Sequence, residues 1–193
     1  MSSTINILGI AGSLRQSSYN RGLLRAAVEL APADSKIEVF ELDDLPGFNQ
    51  DLEQAPPPRV AEFKRKIRDA DAILFVTPEY NYSVPGVLKN AIDWASRPYG
   101  DNAWNGKPAA IMGASIGGIA TARAQYHLRQ MMVFLNMFPV NQPEVMVANA
   151  SEKFDEQGNL IDDTAKDFIR QLLDNLVDWT RRITYHQEMR KSQ

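Results

Sequence analysis

Three short, nearly continuous apolar runs, Ile5–Ala11, Ala72–Val76 and Ala109–Ala114, constrain the fold of this chain more than any other feature. Runs of this length with apolar residues at successive positions are strands buried on both faces. Two further strand segments have a different character. Lys36–Leu42 alternates, with Ile37 and Val39 on one side and Glu38 and Phe40 on the other, while Val140–Val147 carries Asn141, Gln142, Pro143 and Glu144. Proline in a ladder belongs at a sheet edge. Between the strands the apolar spacing is helical: Ser18–Leu30, a segment with Val60, Phe63, Ile67 and Ala70, then Val87–Ala95 and Ala120–Leu135. A final helix follows, with Ile161, Phe168, Leu172, Leu176, Trp179 and Ile183 on one stripe. Strict alternation of strand and helix predicts one α/β domain, a parallel sheet with helices on both faces. Placing the second and fifth strands at the edges gives the order 2-1-3-4-5, the flavodoxin-like doubly wound sheet. A ligand is then expected outside the carboxyl ends of strands one and three, where the winding reverses.

Composition removes several classes of function. The 193 residues suit a single domain, expected over residues 1–185, with 186–193 as a polar tail. Cysteine is absent, which excludes a disulfide framework, Cys-ligated metal and a thiol nucleophile. Only His127 and His186 are present, so no metal site is expected. The net charge of −3 does not suit general nucleic-acid binding. The N-terminal MSSTINILGIAGS lacks a basic region and reads as a strand, not a signal peptide. No run approaches the roughly 18 apolar residues of a membrane span. A cytoplasmic protein without membrane attachment is expected.

Three loops follow the three central strands. The first, Gly12-Ser13-Leu14-Arg15-Gln16-Ser17-Ser18-Tyr19-Asn20, opens straight into a helix. A helix N-terminus presents free N–H groups to an anion, and serine hydroxyls, Asn20 and Arg15 add donors for a phosphate. It is neither a Walker loop nor a G-x-G-x-x-G turn. The second, Thr77-Pro78-Glu79-Tyr80-Asn81-Tyr82-Ser83-Val84-Pro85-Gly86, is stiffened by proline and suits a flat heteroaromatic ligand with polar edges. The third, Gly113-Ala114-Ser115-Ile116-Gly117-Gly118, is made of small residues that let backbone approach a ligand. Together they predict a pocket with one anionic end and one flat end. The third loop also fits G-x-S-x-G, the nucleophile elbow of α/β-hydrolases. Ser115 followed by Asp162, Asp163, Asp174 or Asp178 and then His186 would be an allowed triad order. Against that reading, His186 is expected in a polar tail beyond the last helix, and the first two loops would have no role.

GSLRQSSYN at Gly12–Asn20, PEYNYSVPGVLKNAIDW at Pro78–Trp94 and GASIGGIATARAQYHLRQ at Gly113–Gln130 resemble the NADPH-dependent FMN reductase family. That family has the flavodoxin-like fold and includes bacterial quinone, azo-dye and chromate reductases. The resemblance implies that Ser13, Arg15, Ser18, Tyr19 and Asn20 hold the FMN phosphate. It implies that Pro78, Glu79, Tyr80 and Asn81 line the ribityl and isoalloxazine, largely through backbone, and that Ser115, Gly117 and Gly118 close over the other ring edge. It further implies a homodimer or homotetramer, with Leu88, Trp94 and Tyr126 as candidate contacts.

The activity implied is ping-pong hydride transfer from NADPH or NADH through FMN to a small-molecule acceptor: a quinone, flavin, azo compound or metal oxyanion. The flavin carries that chemistry, so no catalytic residue is expected. A 2′-phosphate on the donor would need a basic residue, for which Arg97 and Lys107 are candidates. A flavodoxin-type electron carrier is the competing reading. Arg15 and the mild net charge favour the reductase.

Overall fold

The computed structural model describes residues 4–191. Along these residues run β1 (Ile5–Ala11), α1 (Tyr19–Glu29), β2 (Ser35–Phe40), α2 (Pro58–Asp69), β3 (Ala72–Val76) and α3 (Gly86–Ala95). They are followed by β4 (Pro108–Ala114), α4 (Ala122–Leu135), β5 (Phe138–Pro139), β6 (Val145–Val147) and α5 (Asp163–Lys191). The strands form one parallel sheet in the order β2-β1-β3-β4-β5, with β6 also on β4. The expected winding is therefore the observed one.

The centre of the sheet shows why apolar runs were needed. Side chains alternate across a strand, and every residue of β3 is fully buried. Ala72, Leu74 and Val76 pack with α1 and α5, whereas Ile73 and Phe75 pack with α2, α3 and α4. Trp104, in the long connection from α3 to β4, fills the second layer between Phe63 and Phe75, with ring centroids 5.8 and 5.5 Å away. Its indole N–H donates to Ile92 O at 3.1 Å, so the buried ring leaves no polar atom unpaired.

Two elements differ from expectation. The fifth strand, predicted as the single segment Val140–Val147, is split. β5 pairs with Pro108–Ala109 at the start of β4, and β6 pairs with Met112–Ala114 at its end. Pro143 has no N–H to give a ladder. Side chains of α4 take over in the gap: Arg129 Nη1 donates to Val140 O (3.0 Å), and Gln125 Nε2 donates to Val145 O (2.9 Å). The last helix is also rotated from its predicted stripe. It buries a broad band, Ala165, Ile169, Leu172, Leu173, Leu176, Val177 and Thr180, against β4, β6 and α1. Ile161 precedes the helix and is exposed, as is Phe168. The segment after Tyr185, read as a tail, continues α5 to Lys191; Gln193 and Ser192, like Met1–Ser3, lie outside the described residues.

Leu88 and Trp94, candidate subunit contacts, are core residues of their own chain, each about 1% exposed or less. α3 buries Leu88, Ala91, Ile92 and Ala95 in the core layer shared with Ile73 and Phe75, and the Trp94 indole N–H donates to Pro46 O at 2.8 Å. Tyr126 is exposed. Among the described residues no helix is long and apolar enough to cross a membrane.

Candidate flavin site

The sheet order brings the ends of β1, β3 and β4 side by side, and with them the three loops. Gly12 N–H donates to Val76 O at 2.8 Å, and a Cβ at Gly12 would already touch Leu88, Pro78 and Thr77 at 3.3–3.4 Å. The first two loops therefore lie against each other. Ser18 caps α1, its Oγ accepting from Asn20 N–H at 3.2 Å. Ser13 and Ser18 are buried, while Arg15, Gln16 and Ser17 are exposed. Arg15 lies over the Tyr19 ring, 5.8 Å from its centroid.

Asn20 is at the site, but its side chain is turned away from any phosphate. Its Nδ2 donates to Ala114 O (2.9 Å) and its Oδ1 accepts from Ala114 N–H (2.8 Å). β3 ends at Val76, opposite Met112, so Ala114 has no strand partner on that side. The Asn20 amide takes the place of the missing strand and fixes the N-terminus of α1 against the end of β4.

The second loop is a strained hairpin held from outside. Tyr80 and Ser83 exchange both backbone hydrogen bonds at 2.9 Å. The tip residues Asn81 and Tyr82 have φ of 50° and 64°, as in a type I′ turn, which costs a bulky residue such as tyrosine about 1–2 kcal/mol. Three ties to α4 offset that cost. The Arg123 guanidinium sits 3.6 Å from the Tyr82 ring centroid, and Ser83 Oγ is 2.9 Å from His127 Nδ1. The buried Glu79 carboxylate accepts from the N–H groups of Arg123 (3.0 Å) and Ala124 (3.1 Å) and from Arg123 Nε (2.6 Å).

Arg123 is not singled out by the sequence, and His127 is read there only as a packing or interface residue. A signal for the first existed: α4 has no side-chain cap at Thr121 and no acidic residue in its first turn, so its N-terminus needs a carboxylate from elsewhere. Glu79 is that carboxylate.

The third loop leaves β4 at Gly113, where a Cβ would collide with Thr77 O and Thr121 Oγ1. Ser115 N–H donates to Val147 O and Ser115 O accepts from Ala150 N–H, both at 3.0 Å, and Ser115 Oγ accepts from Gly117 N–H at 3.2 Å. Beyond it the loop is open: a Cβ at Gly118 would meet nothing within 4 Å, and one at Gly117 only Ser115 Oγ at 3.8 Å. Ile116 and Ile119 are exposed beside it.

The donor set fits FMN. A capped helix N-terminus with serines and an arginine suits the dianionic phosphate, and the open backbone at Gly117–Gly118 leaves room for a planar ring. The site does not assemble a hydrolase. Among the described residues no hydrogen bond joins Ser115 to a histidine; His127 is on Ser83. The two candidates for a donor 2′-phosphate are engaged elsewhere. Arg97 Nε donates to Glu53 at 2.9 Å, with its guanidinium 3.9 Å from the Tyr99 ring centroid. Lys107, at the opposite end of the sheet, donates to Arg68 O and Ala70 O, and burial pushes its pKa down.

A doubly wound parallel sheet in the order β2-β1-β3-β4-β5, with three loops gathered at the carboxyl ends of its central strands, defines a protein of flavodoxin-like fold. Within that class the chain belongs to the NADPH-dependent FMN reductase family, whose model matches residues 5–152. It is 53% identical over 184 residues, 95% of this chain and 99% of the other, to an NAD(P)H-dependent FMN reductase of Pseudomonas aeruginosa. A 2-hydroxy-1,4-benzoquinone reductase of Burkholderia sp. is 42% identical, covering 92% of this chain and 97% of its own. Among solved structures, the flavoenzyme NAD(P)H:(acceptor) oxidoreductase FerB of Paracoccus denitrificans superposes with a TM-score of 0.85 at 37% identity, covering 92% of this chain and 98% of that one.

Proposed function

We propose that this protein is an NAD(P)H-dependent FMN reductase that delivers reducing equivalents to a small acceptor, with quinones the first class to test. The observation that carries the reading is the convergence of the three loops at one sheet edge in a chain of this family. The names of its relatives support quinone as the acceptor class. When bound, FMN supplies the chemistry itself, accepting hydride from the nicotinamide and returning it to the acceptor.

The chain's own part is binding and orientation. The N-terminus of α1, Ser13, Ser18, Tyr19 and the Arg15 guanidinium would hold the phosphate, with Asn20 fixing that helix to β4. Backbone of Pro78, Glu79, Tyr80 and Asn81 would line one edge of the ring, and Ser115, Gly117 and Gly118 the other. Exposed Tyr80, Ile116 and Ile119 give the mouth apolar walls for a flat, weakly polar acceptor. No side chain is assigned as acid, base or nucleophile. The outer face of α4 exposes Tyr126, Val133 and Phe134, an apolar stripe that supports self-association into a homodimer or homotetramer. A cytoplasmic location goes with the need for a nicotinamide donor.

An anaerobic visible spectrum of the purified protein, taken with added FMN and then NADPH or NADH, tests the reading. A bound-flavin spectrum that bleaches with either donor and recovers with a benzoquinone is expected. Bound flavin that neither donor bleaches would make the protein an electron carrier instead, and failure to bind FMN at all would remove both.

A further inference from the structure

We propose that Asn105 is a site of spontaneous covalent modification and that Asn136 sets its rate. The reaction is loss of the side-chain amide through a cyclic imide closed by the backbone nitrogen of Gly106.

Asn105 is the one asparagine of the chain that a glycine follows. The glycine is there because the fold demands it. Lys107 N–H donates to Trp104 O at 3.1 Å, closing a four-residue turn that leads into β4, and Gly106 in its third place has a φ of 75°. A type II turn needs that conformation, which a side chain resists. The residue that suits the turn is also the one whose amide nitrogen, with no Cβ beside it, is least hindered in attacking the side chain before it. Asn105 is exposed, so water and base reach the pair.

The reaction consumes only water. The Gly106 nitrogen gives its proton to solvent base and bonds to Asn105 Cγ, the Cγ–Nδ2 bond breaks, and ammonia leaves. Water then opens the imide at either of its carbonyls. One opening gives aspartate in an ordinary chain. The other gives isoaspartate, in which the backbone runs through Cβ and Cγ and is longer by a methylene. Both products add a negative charge.

In the folded protein one residue holds both reacting groups. Gly106 N–H donates to Asn136 O at 2.9 Å, which engages the proton that the nucleophile must lose. Asn105 Oδ1 accepts from Asn136 Nδ2 at 2.7 Å, which fixes the side chain under attack. Asn136 is placed by the end of α4, where it takes the left-handed conformation with a φ of 55°. Ring closure therefore waits for a local opening of this clamp. The turn and the third ligand loop are separated by the seven residues of β4, about 20 Å, so the modification leaves the flavin site intact. Isoaspartate instead lengthens the run between Trp104 and Pro108, both buried.

Native protein and protein unfolded in urea, incubated side by side at mildly alkaline pH, provide the test. Peptide mapping by mass spectrometry, with enzymatic methylation to mark isoaspartate, follows each asparagine. Conversion is expected first at Asn105 in both samples, and more slowly in the native one. Asn136→Gly keeps the left-handed backbone and the carbonyl that receives Gly106 N–H, and removes only the side-chain half of the clamp. It should speed native conversion about fivefold, the rise in opening frequency that loss of one ordinary hydrogen bond brings, and leave the rate in urea unchanged. Native conversion that begins at another asparagine, or that runs as fast as in urea, overturns the proposal. So does a folded Asn136→Gly protein that converts no faster than wild type. The wild-type comparison alone decides the site should that variant not fold.

Discussion

Replacing Glu79 by alanine should cost this protein about 3 kcal/mol of stability and loosen its ring-binding hairpin at the same time. The Glu79 side chain is 6% exposed and accepts three hydrogen bonds, two from the first N–H groups of α4 and one from Arg123. Its loss removes a helix cap, about 0.5–2 kcal/mol, and orphans backbone donors at roughly 1–3 kcal/mol each where they are buried. These costs overlap because they describe the same bonds, and Arg123 is 36% exposed, so the ion-pair share is discounted for solvent. A net loss of about 3 kcal/mol corresponds to a melting temperature lower by roughly 6–12 °C for a chain of this size. Glu79→Gln keeps one acceptor oxygen and should lose about half as much. Urea unfolding of the apoprotein measures the stability, and flavin-fluorescence quenching reports on the hairpin, with FMN affinity falling in Glu79→Ala through the loosened tie to α4. The Arg123→Gln variant completes a double-mutant cycle, for which a coupling of about 1–3 kcal/mol is expected. A coupling near zero, or an alanine variant as stable as wild type, would show that the carboxylate does not hold hairpin and helix together.

Other perturbations have equally definite outcomes. Arg15→Ala should weaken FMN roughly ten- to a hundredfold and leave riboflavin, which has no phosphate, nearly unaffected; equal losses in a fluorescence titration would place Arg15 off the phosphate. Asn20→Ala leaves an N–H and a C=O of Ala114 unpaired in a buried setting and should cost about 2–4 kcal/mol in urea unfolding, with FMN binding weakened through displacement of α1. Gly118→Val should leave stability within about 0.5 kcal/mol, since the added atoms meet open space, yet reduce FMN affinity; unchanged affinity would move the ring away from this loop. Acid should unfold the protein through carboxyls whose pKa is lower folded than unfolded. The Lys153 ammonium and then the Ala165 N–H hold Asp162 below its ordinary value, and Lys64 and Arg68 outweigh the upward push of burial on Asp101. Such groups bind protons more readily in the unfolded chain, so their stabilisation is complete above about pH 4 and is lost as pH falls below it. The urea midpoint should drop over that range, and less so in Asp162→Asn.

The strand order was legible because it depends on a coarse property. A strand covered on both faces must be apolar at successive positions, and Ala72–Val76 and Ala109–Ala114 are; an edge strand need not be, and Asn141–Glu144 is not. What could not be read was how α4 deals with that polar edge. Gln125 and Arg129 carry hydrogen bonds into a broken strand, and nothing in a helical stretch of mixed polarity announces that two of its polar side chains face the sheet. The final helix misled for a related reason. A stripe drawn through Ile161, Phe168 and Ile183 assumes a single seam, whereas a helix lying across β4, β6 and α1 buries a broad band that includes Thr180.

The candidate site was legible as a set of positions but not as a set of contacts, and the reason lies in what the motif residues do. Asn20, Glu79 and Ser115 all stand where a ligand is expected, yet each spends its side chain on the protein: Asn20 on Ala114, Glu79 on the start of α4, Ser115 on Gly117 N–H. Their common effect is to hold backbone in shapes it would not keep alone, a helix end without its own cap, a hairpin tip at positive φ, a strand end without its neighbour. A flat ligand with polar edges is recognised by backbone N–H and C=O groups held in fixed directions, and those groups are the same in every residue type. The letters of such a motif therefore specify the shape of the loop rather than its chemistry. Side chains that meet the ligand directly should then be few, with Arg15 the chief one, and substitutions at the supporting positions should act on affinity and stability together. Glu79 and Asn20 are where that linkage is most exposed to test.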